Sequence, residues 1–350
     1  MSSSEANKTA KMKDVAELAG VSIKTVSRVL NNEPHVKEKL KRKVRDAVEQ
    51  LRYVPSQSAR SLRGNRSYDI ALICHTTSSS YINAIQFGAV IACQDRGYQL
   101  SISLFEGLTG KSVKEIREVF EGLLLHRKPD GVMLVAPYAN SDKVDFVLKE
   151  LGLPAVRIGP VDIANRGIVV EIDDYEASIE LTNHLIELGH TRIGFVRGIE
   201  DQRSTHVRFS GFTVAMEAAD LAVDDTLVRP GEYDFESGFR AGEYFLGLEN
   251  RPTAIFCSND DMAAGVVAAC NVHHVEVPRD ISIVGFDDAD VATRMRPLLT
   301  TIRQPLGELG ATAVRELISQ LSTRSTIEPR RIVLDHEYVQ RDTTGPAPKS

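Results

Sequence analysis

The sequence contains no tryptophan and only four cysteines among its 350 residues. The cysteines lie far apart in apolar segments, with no C-x-x-C pair and no histidine at metal-ligand spacing. Because an isolated cysteine behaves as a small hydrophobic residue, we expect all four to be reduced core residues in a cytosolic protein. The pattern therefore predicts neither a disulfide framework nor a metal site. The four residues are Cys74, Cys93, Cys257 and Cys270.

Long apolar runs and an export signal are also missing. The longest apolar stretches, such as residues 88–93 and 281–286, are far shorter than the ~20 residues that cross a bilayer. Residues 1–12 are polar and contain no apolar segment of the kind that precedes a signal-peptide cleavage site. We therefore expect a cytoplasmic protein that does not interact with membranes.

The common catalytic and cofactor-binding motifs are absent as well. The sequence has no G-x-G-x-x-G, H-E-x-x-H or G-x-S-x-G pattern, and a phosphate loop ending at Lys111 would need glycine where Phe105 stands. Asp287 and Asp288 are adjacent carboxylates, but neighbours on a short loop point in different directions and no base or nucleophile accompanies them. We expect no cofactor and no enzymatic activity, and we retain an enzyme only as the weaker alternative.

What is present is a marked charge asymmetry. A chain of this length predicts two or three domains, and 42% apolar with 26% charged residues is typical of a globular protein. Residues 11–66 contain 14 Lys and Arg against six Asp and Glu, whereas the rest of the chain contains 28 against 42. A basic head on an acidic body predicts that the head binds a polyanion. The alternative is a solvated, lysine-rich surface helix.

The head contains a helix-turn-helix pattern. A helix over residues 13–19 is interrupted at Gly20, and Ser22 can cap a second helix that reaches about Asn31. Val26, Val29 and Leu30 form one apolar face of this second helix. Lys24 and Arg28 project from the opposite side, with Ile23 and Ser27 beside them. An exposed apolar residue next to two cations suits base edges in a DNA major groove, although an ordinary surface helix is the alternative.

A third helix, over residues 36–51, has apolar residues spaced to close a small core with the first two helices. A break at residues 53–55 follows, and then a nine-residue helical segment over residues 56–64. This segment is shorter than the ~12 to 15 residues that an isolated helix needs in water. We expect it to order only when another surface supports it.

The stretch DVAELAGVSIKTVSRVLN at residues 14–31 resembles the head of the LacI/GalR family of bacterial transcription regulators, and YVP at 53–55 with ARSL at 59–62 resembles its hinge. The resemblance extends to about residue 343. It implies a homodimer on near-palindromic double-stranded operator DNA, in which leucines of paired hinge helices enter the central minor groove. The implied DNA-contacting residues are Ser22, Ile23, Lys24, Thr25, Ser27, Arg28, Asn31, Ala59 and Leu62.

After residue 66 the chain alternates strand-like and helical patterns in two series, which predicts parallel sheets with helices on both faces. The predicted fold class is α/β, with a small all-α helix-turn-helix domain and a hinge helix ahead of a two-lobed, doubly wound body. The predicted divisions are a disordered tail (1–10), the DNA-binding domain (11–55), the hinge and linker (56–66), the effector-binding and dimerisation domain (67–343) and a second tail (344–350). We expect the N-lobe at about 67–167 plus 302–329 and the C-lobe at about 168–301 plus 330–343.

Ligands of open parallel sheets bind outside the carboxyl ends of the strands, so the residues that follow each apolar run are candidates. Each of them could instead be a cap or turn residue. Together they predict a cleft for a hydroxyl-rich small molecule. The candidates are Ser80, Tyr81, Ser204, Arg208, Tyr233, Asn259, Asp287 and Gln304.

The resemblance supports this cleft, because the body is similar to a type I periplasmic-binding-protein fold. It implies that Arg208 and Asp287 bind the effector, together with Asn259 and Gln304, and that Tyr233 supplies an aromatic ring. Gly159 departs from the pattern, since several relatives have a carboxylate there, and this leaves the identity of the ligand open.

We predict a repressor of carbohydrate-use genes that a mono- or disaccharide releases from its operator. The alternatives are a corepressor-dependent repressor or an activator, a nucleobase or phosphorylated effector, and a periplasmic transport receptor.

Overall fold

The computed structural model describes residues 10–30, 36–51, 53, 66–75, 80–162, 167–323 and 329–349. The chain divides into two compact units, Met1–Tyr68 and Asp69–Ser350. The first unit contains the helices α1 (Met12–Ala19), α2 (Ile23–Leu30) and α3 (Glu38–Gln50). The predicted hinge helix, with Ala59 and Leu62, lies outside the described residues, and so does Asn31.

The turn between α1 and α2 has the features that the sequence predicted. Gly20 adopts a left-handed conformation, with φ at 63°, which a residue without a side chain tolerates best. The Oγ of Ser22 accepts a hydrogen bond from the backbone amide of Thr25 at 3.1 Å, which caps α2. Val15, Val26 and Val44, one from each helix, are fully buried. The three helices therefore share one small apolar core.

The body alternates strands and helices, as predicted. Its helices are α4 (Ser80–Asp95), α5 (Val113–His126), α6 (Asp142–Glu150), α7 (Asp174–Glu187), α8 (Arg203–Ala218), α9 (Phe235–Leu246), α10 (Asp260–Val272), α11 (Asp290–Arg294) and α12 (Leu306–Thr323). Its strands are β1 (Asp69–Cys74), β2 (Gln99–Leu104), β3 (Gly131–Leu134), β4 (Ala155–Ile158), β5 (Ile168–Ile172), β6 (Ile193–Val196), β7 (Val228–Arg229), β8 (Ala254–Cys257), β9 (Ser282–Val284), β10 (Thr301–Arg303), β11 (Arg330–Leu334) and β12 (Glu337–Val339).

Two parallel sheets organise the body into two lobes. The first sheet has six strands in the order β11-β5-β4-β3-β1-β2, and the second has four in the order β7-β6-β8-β9. Strands β10 and β12 pair antiparallel in a separate two-stranded sheet. On one face of the first sheet α4 and α12 approach closely, since a Cβ atom at Gly88 would lie 1.8 Å from the Gly307 carbonyl oxygen. Glycine at position 88 is what permits this approach.

Two predicted features of the body are wrong. The lobe division placed residues 168–172 and 330–334 in the second lobe, but β5 and β11 pair with each other and, through β4, with the first sheet. The chain therefore crosses between the lobes after β5. Both lobes repeat the same strand and helix pattern, so the sequence pattern did not mark which sheet a strand joins.

The C-terminal segment also differs from its prediction. Residues 344–350 were predicted to form a second tail outside the effector-binding domain. Instead, Thr344 is buried, and the backbone amide of Gly345 donates to Ser282 Oγ at 3.0 Å. The amide of Ala347 donates to the Leu188 carbonyl at 2.9 Å. These bonds bind the segment to the second lobe. Across the part of the chain that the structure describes, no helix combines the length and apolar character that a membrane span requires.

Candidate functional site

A cavity of about 500 Å³ lies in the body, where the carboxyl ends of strands from both sheets meet. The first lobe contributes residues that follow β1, β3 and β4, together with the first turn of α4. The second lobe contributes α7 and α8 and the residues that follow β7, β8 and β9. This location is the one at which open α/β sheets bind ligands, and the volume is in the usual range for small-molecule sites.

Most of the predicted cleft residues line this one cavity, although they are spread over more than 200 positions of the chain. Seven of the eight do so, and the exception is Ser80, which begins α4 without reaching the cavity wall. The residues that the structure brings together are Tyr81, Ser204, Arg208, Tyr233, Asn259, Asp287 and Gln304.

Arg208 is the buried cation of the cavity wall, with 4% of its surface exposed. Its Nε donates to Oδ1 of Asp174 at 2.6 Å, and its Nη1 donates to the Ser258 carbonyl at 2.5 Å. The guanidinium also lies 3.7 Å from the ring centroid of Phe286, close enough for a cation-π interaction. These contacts fix the guanidinium plane on three sides. Nη2 lies 3.8 Å from Oδ1 of Asp287.

Asp287 and Asp288 point in different directions, as expected for adjacent loop residues. Asp287 lines the cavity, whereas Asp288 pairs with Arg303 at 2.7 Å and with Arg341 at 2.6 Å. Burial raises the pKa of Asp287 to about 7, although Arg208 and Gln304 act in the opposite direction. Burial therefore favours the protonated form of Asp287 more than it would for an exposed aspartate.

Tyr233 stands on the loop after β7 and is held by several hydrogen bonds. Its hydroxyl shares hydrogen bonds with Ser204 Oγ and Thr205 Oγ1, each at 3.0 Å. Its carbonyl accepts from Nδ2 of Asn259 at 3.0 Å, while Oδ1 of Asn259 caps α10 by accepting from the Met262 amide. Asn259 thus has the capping role that was the alternative interpretation, and it also orders the Tyr233 loop beside the cavity.

Several residues of the cavity wall were not predicted from the sequence, and Asp174 is the most consequential of them. Asp174 directly follows β5 and its neighbour Asp173, so the search of residues after apolar runs could have found it. The other missed polar residues are His75, Asn140, Gln202, Arg203, Glu232, Asp234 and Asp261.

The charges of the wall are distributed unevenly between the lobes. The wall from the first lobe carries no carboxylate among the described residues, and Gly159 and Pro160 form part of it. A Cβ atom at Gly159 would lie 3.7 Å from the Tyr81 hydroxyl, and the φ of 100° there disfavours other residues. The wall from the second lobe contains both cations, Arg203 and Arg208, and the five carboxylates Asp174, Glu232, Asp234, Asp261 and Asp287.

The described residues contain no group of three or more His, Cys, Asp or Glu side chains placed to hold a metal ion. The cavity instead presents carboxylates, amides, hydroxyls and one aligned guanidinium. These groups can accept from and donate to the hydroxyl groups of a neutral ligand.

In the first unit, α2 exposes the side chains expected to face DNA. Ile23 is 42% exposed, and Lys24 and Arg28 are exposed beside it. Ser22 is also exposed, and Thr25 is half-buried. Ser27 differs from the expectation, because it is only 9% exposed. It lies next to Val26 on the helix, where a short side chain is covered by the core.

Two family models match the chain in separate regions. The model described as "Bacterial regulatory proteins, lacI family" matches residues 11–56, which include α1, α2 and α3. The model described as "Periplasmic binding protein-like domain" matches residues 182–344.

Similar proteins extend over almost the whole chain. The ribose operon repressor of Escherichia coli (strain K12) is 32% identical over 332 residues, which cover 95% of this chain and 99% of that protein. Among solved structures, the lac repressor dimer bound to operator and the anti-inducer ONPF is 27% identical, with a TM-score of 0.79 over 97% of this chain and 100% of that one. The complex of the transcriptional regulator CelR with cellobiose is 28% identical, with a TM-score of 0.71 over 95% of this chain and 99% of that one.

Proposed function

The chain belongs to the LacI family of bacterial regulatory proteins, and we propose that it is a dimeric repressor that a small neutral sugar releases from its operator. A helix-turn-helix unit and a body with a ligand cavity are the two parts of a DNA-binding transcriptional regulator of this type. The effector is a neutral sugar, it contacts residues of the cavity wall, and its binding weakens the affinity for the operator.

The observation that carries the effector class is the pairing of Arg208. Its charge is matched by Asp174 at 2.6 Å and by Asp287 at 3.8 Å, so it has no unbalanced charge to offer an anion. Three further carboxylates, Glu232, Asp234 and Asp261, line the cavity, whereas the described wall contains one further cation, the exposed Arg203. An anionic ligand would meet a wall with an excess of negative charge. A neutral polyol would find acceptors and donors without that repulsion.

Two similar proteins are consistent with a sugar, because one is named a ribose operon repressor and another was solved with cellobiose. The cavity of about 500 Å³ accommodates a ligand of either size. In the proposed complex, Asp287 and Gln304 bind sugar hydroxyl groups, Arg208 donates to a ring or hydroxyl oxygen, and Tyr81 and Tyr233 flank the ring.

On the DNA side, we propose that Ile23, Lys24 and Arg28 contact base edges in the major groove. Lys24 and Arg28 can donate to guanine O6 and N7, and Ile23 can contact a thymine methyl group. Ser22, Thr25 and Asn31 are proposed as neighbouring contacts, and Ala59 and Leu62 as minor-groove contacts. Effector binding between the lobes would change their relative orientation and so separate the hinge segments of the two protomers.

A thermal-shift panel tests the effector class. The panel contains neutral mono- and disaccharides, hexuronates, sugar phosphates and nucleobases, and binding at 100 times Kd adds about 2.7 kcal/mol to stability. We expect a neutral sugar to raise the melting temperature and to release a fluorescent operator duplex. Asp287→Ala and Arg208→Ala should abolish both effects, whereas Asp290→Ala, an exposed residue at the start of α11, should not. A response only to sugar phosphates, hexuronates or nucleobases would refute the neutral-sugar proposal, and tighter operator binding with ligand would reverse its sign.

A further inference from the structure

Asp174 occupies a junction that connects the cavity with the crossing between the lobes. Strand β5 ends at Ile172 within the first sheet, and Asp174 is the first residue of α7. Helix α7 belongs to the second lobe, because its Ala177, Leu181 and Leu185 are buried in the core around the second sheet. The side chain of Asp174 is 2% exposed and lies against Arg208 of α8. A residue of the interlobe connection is therefore part of the cavity wall and contacts Arg208, the buried cation of that wall.

The contact between Asp174 and Arg208 fixes the orientation of the guanidinium group. Nε and Nη1 of Arg208 are engaged by Asp174 Oδ1 and by the Ser258 carbonyl, at 2.6 and 2.5 Å. Nη2 therefore faces Asp287 and the cavity, at a distance of 3.8 Å that is too long for a hydrogen bond. The carboxylate of Asp174 thus determines which edge of the guanidinium a ligand meets.

We propose that Asp174 is a positioning residue of the effector site. It orients Arg208 and couples effector binding at Arg208 to the β5–α7 connection between the lobes. The effector itself contacts Arg208 and Asp287, and Asp174 acts through Arg208. This proposal rests on the effector site proposed above. The β5–α7 connection would then link ligand binding in the cavity to the junction between the lobes.

Electrostatics supply a readout that does not need the effector. Burial is the largest influence on the pKa of Asp287 and raises it, whereas the charge of Arg208 lowers that pKa and the charge of Asp174 raises it. Asp261 of α10 also raises that pKa, and the buried Asp260 faces the same carboxyl. The pKa of Asp174 is itself raised, mainly by burial, and Arg208 lowers it. The charge of Asp173 raises that pKa further, and the charge of His336 lowers it. Removing the charge of Asp174 while the other groups remain should lower the pKa of Asp287.

The experiment compares Asp174→Asn with Asp173→Asn in the full-length protein. Asp173 is exposed and caps α7 by accepting from the Glu176 amide, and asparagine can retain that cap. The pKa of the Asp287 carboxyl is followed by ¹³C NMR without ligand. Calorimetry then measures the affinity for D-ribose and cellobiose, and operator release is measured with whichever of the two binds.

We expect Asp174→Asn to lower the pKa of Asp287, to weaken sugar binding at least tenfold and to reduce operator release at saturating sugar, while Asp173→Asn changes none of these. An unchanged Asp287 pKa together with wild-type affinity would overturn the proposal. If Asp174→Asn does not fold, Asp174→Glu keeps the charge but displaces it, and wild-type affinity in that variant would also overturn the proposal. If the wild-type protein binds neither sugar, the choice of effector is refuted, whereas the pKa comparison still decides the role of Asp174.

Discussion

Nε2 of Gln304 donates a hydrogen bond of 2.6 Å to Oδ1 of Asp287. The two residues follow β10 and β9, and backbone bonds join the same segments, from the Asp287 amide to the Ile302 carbonyl at 2.9 Å. This support holds Asp287 at a φ of 111°, a conformation that is strained for any residue with a side chain. The carboxylate is thereby aimed into the cavity next to Arg208, where a ligand hydroxyl can reach it.

Effector affinity should depend on pH near neutrality. A sugar hydroxyl donates to the ionised form of Asp287, so binding favours deprotonation, and affinity is complete above the pKa of about 7. As the pH falls through that value the proton competes with the sugar, and Kd should rise by up to about tenfold for each pH unit. Calorimetric titrations at pH 8, 7, 6 and 5.5 measure the change.

The variant Asp287→Asn provides the control for this dependence. It removes the titrating group and should bind more weakly at pH 8, with a Kd that hardly changes with pH. A wild-type Kd that stays constant from pH 8 to 5.5 would contradict the assignment of Asp287 as an acceptor for the effector.

The exposed face of α2 should determine the choice of operator sequence. Replacing Arg28 or Lys24 with alanine should cost about 1–3 kcal/mol on the preferred duplex and relax discrimination at one base position. Lys13→Ala is the matched control, because Lys13 is an exposed cation on α1 that pairs with Glu17. Fluorescence anisotropy on a selected operator and on a scrambled duplex separates the two effects. Equal losses on both duplexes would assign Arg28 and Lys24 to phosphate contacts instead.

Removing one charge of the buried pair Arg208 and Asp174 should lower the free energy of unfolding more than removing both charges. Arg208→Met leaves the carboxylate of Asp174 buried without its partner, so the free energy of unfolding should fall by about 3–5 kcal/mol. The double variant Arg208→Met/Asp174→Leu removes both charges and should recover part of that loss. Urea denaturation measures each value. A double variant no more stable than Arg208→Met would show that burial of the unpaired carboxylate is not the cause.

The sequence was most informative where a short-range pattern has one structural solution. Ser22 after Gly20, followed by the spacing of Val26 and Val29, predicted the capped second helix because capping and helical periodicity act within a few residues. The rule that ligands bind at the carboxyl ends of parallel strands brought Tyr81, Arg208 and Asp287 to one cavity.

Sheet membership was less predictable, because it depends on pairing between distant segments. Nothing local distinguishes β5 from β6, yet β5 pairs with β4 and β6 pairs with β8. The role of Asp174 depends on that assignment, because the residue lies where the chain crosses from β5 to α7. The burial of Ser27 was also not predictable from the sequence, because a small side chain beside Val26 can lie on either side of the boundary between core and surface.

The C-terminal segment should contribute to the stability of the second lobe. Deleting residues 343–350 removes the buried Thr343 and Thr344 and leaves His190 without one partner, since its Nε2 lies 3.1 Å from the Gly345 carbonyl. The amides of Ile283 and Thr300 also lose their acceptors on Thr343. At about 0.5–1.5 kcal/mol for each hydrogen bond, the free energy of unfolding should fall by about 2–4 kcal/mol. Deleting only residues 348–350 is the matched control, because Pro348 and Lys349 are exposed. Equal denaturation midpoints for the two truncations would mean that the segment contributes nothing to the fold.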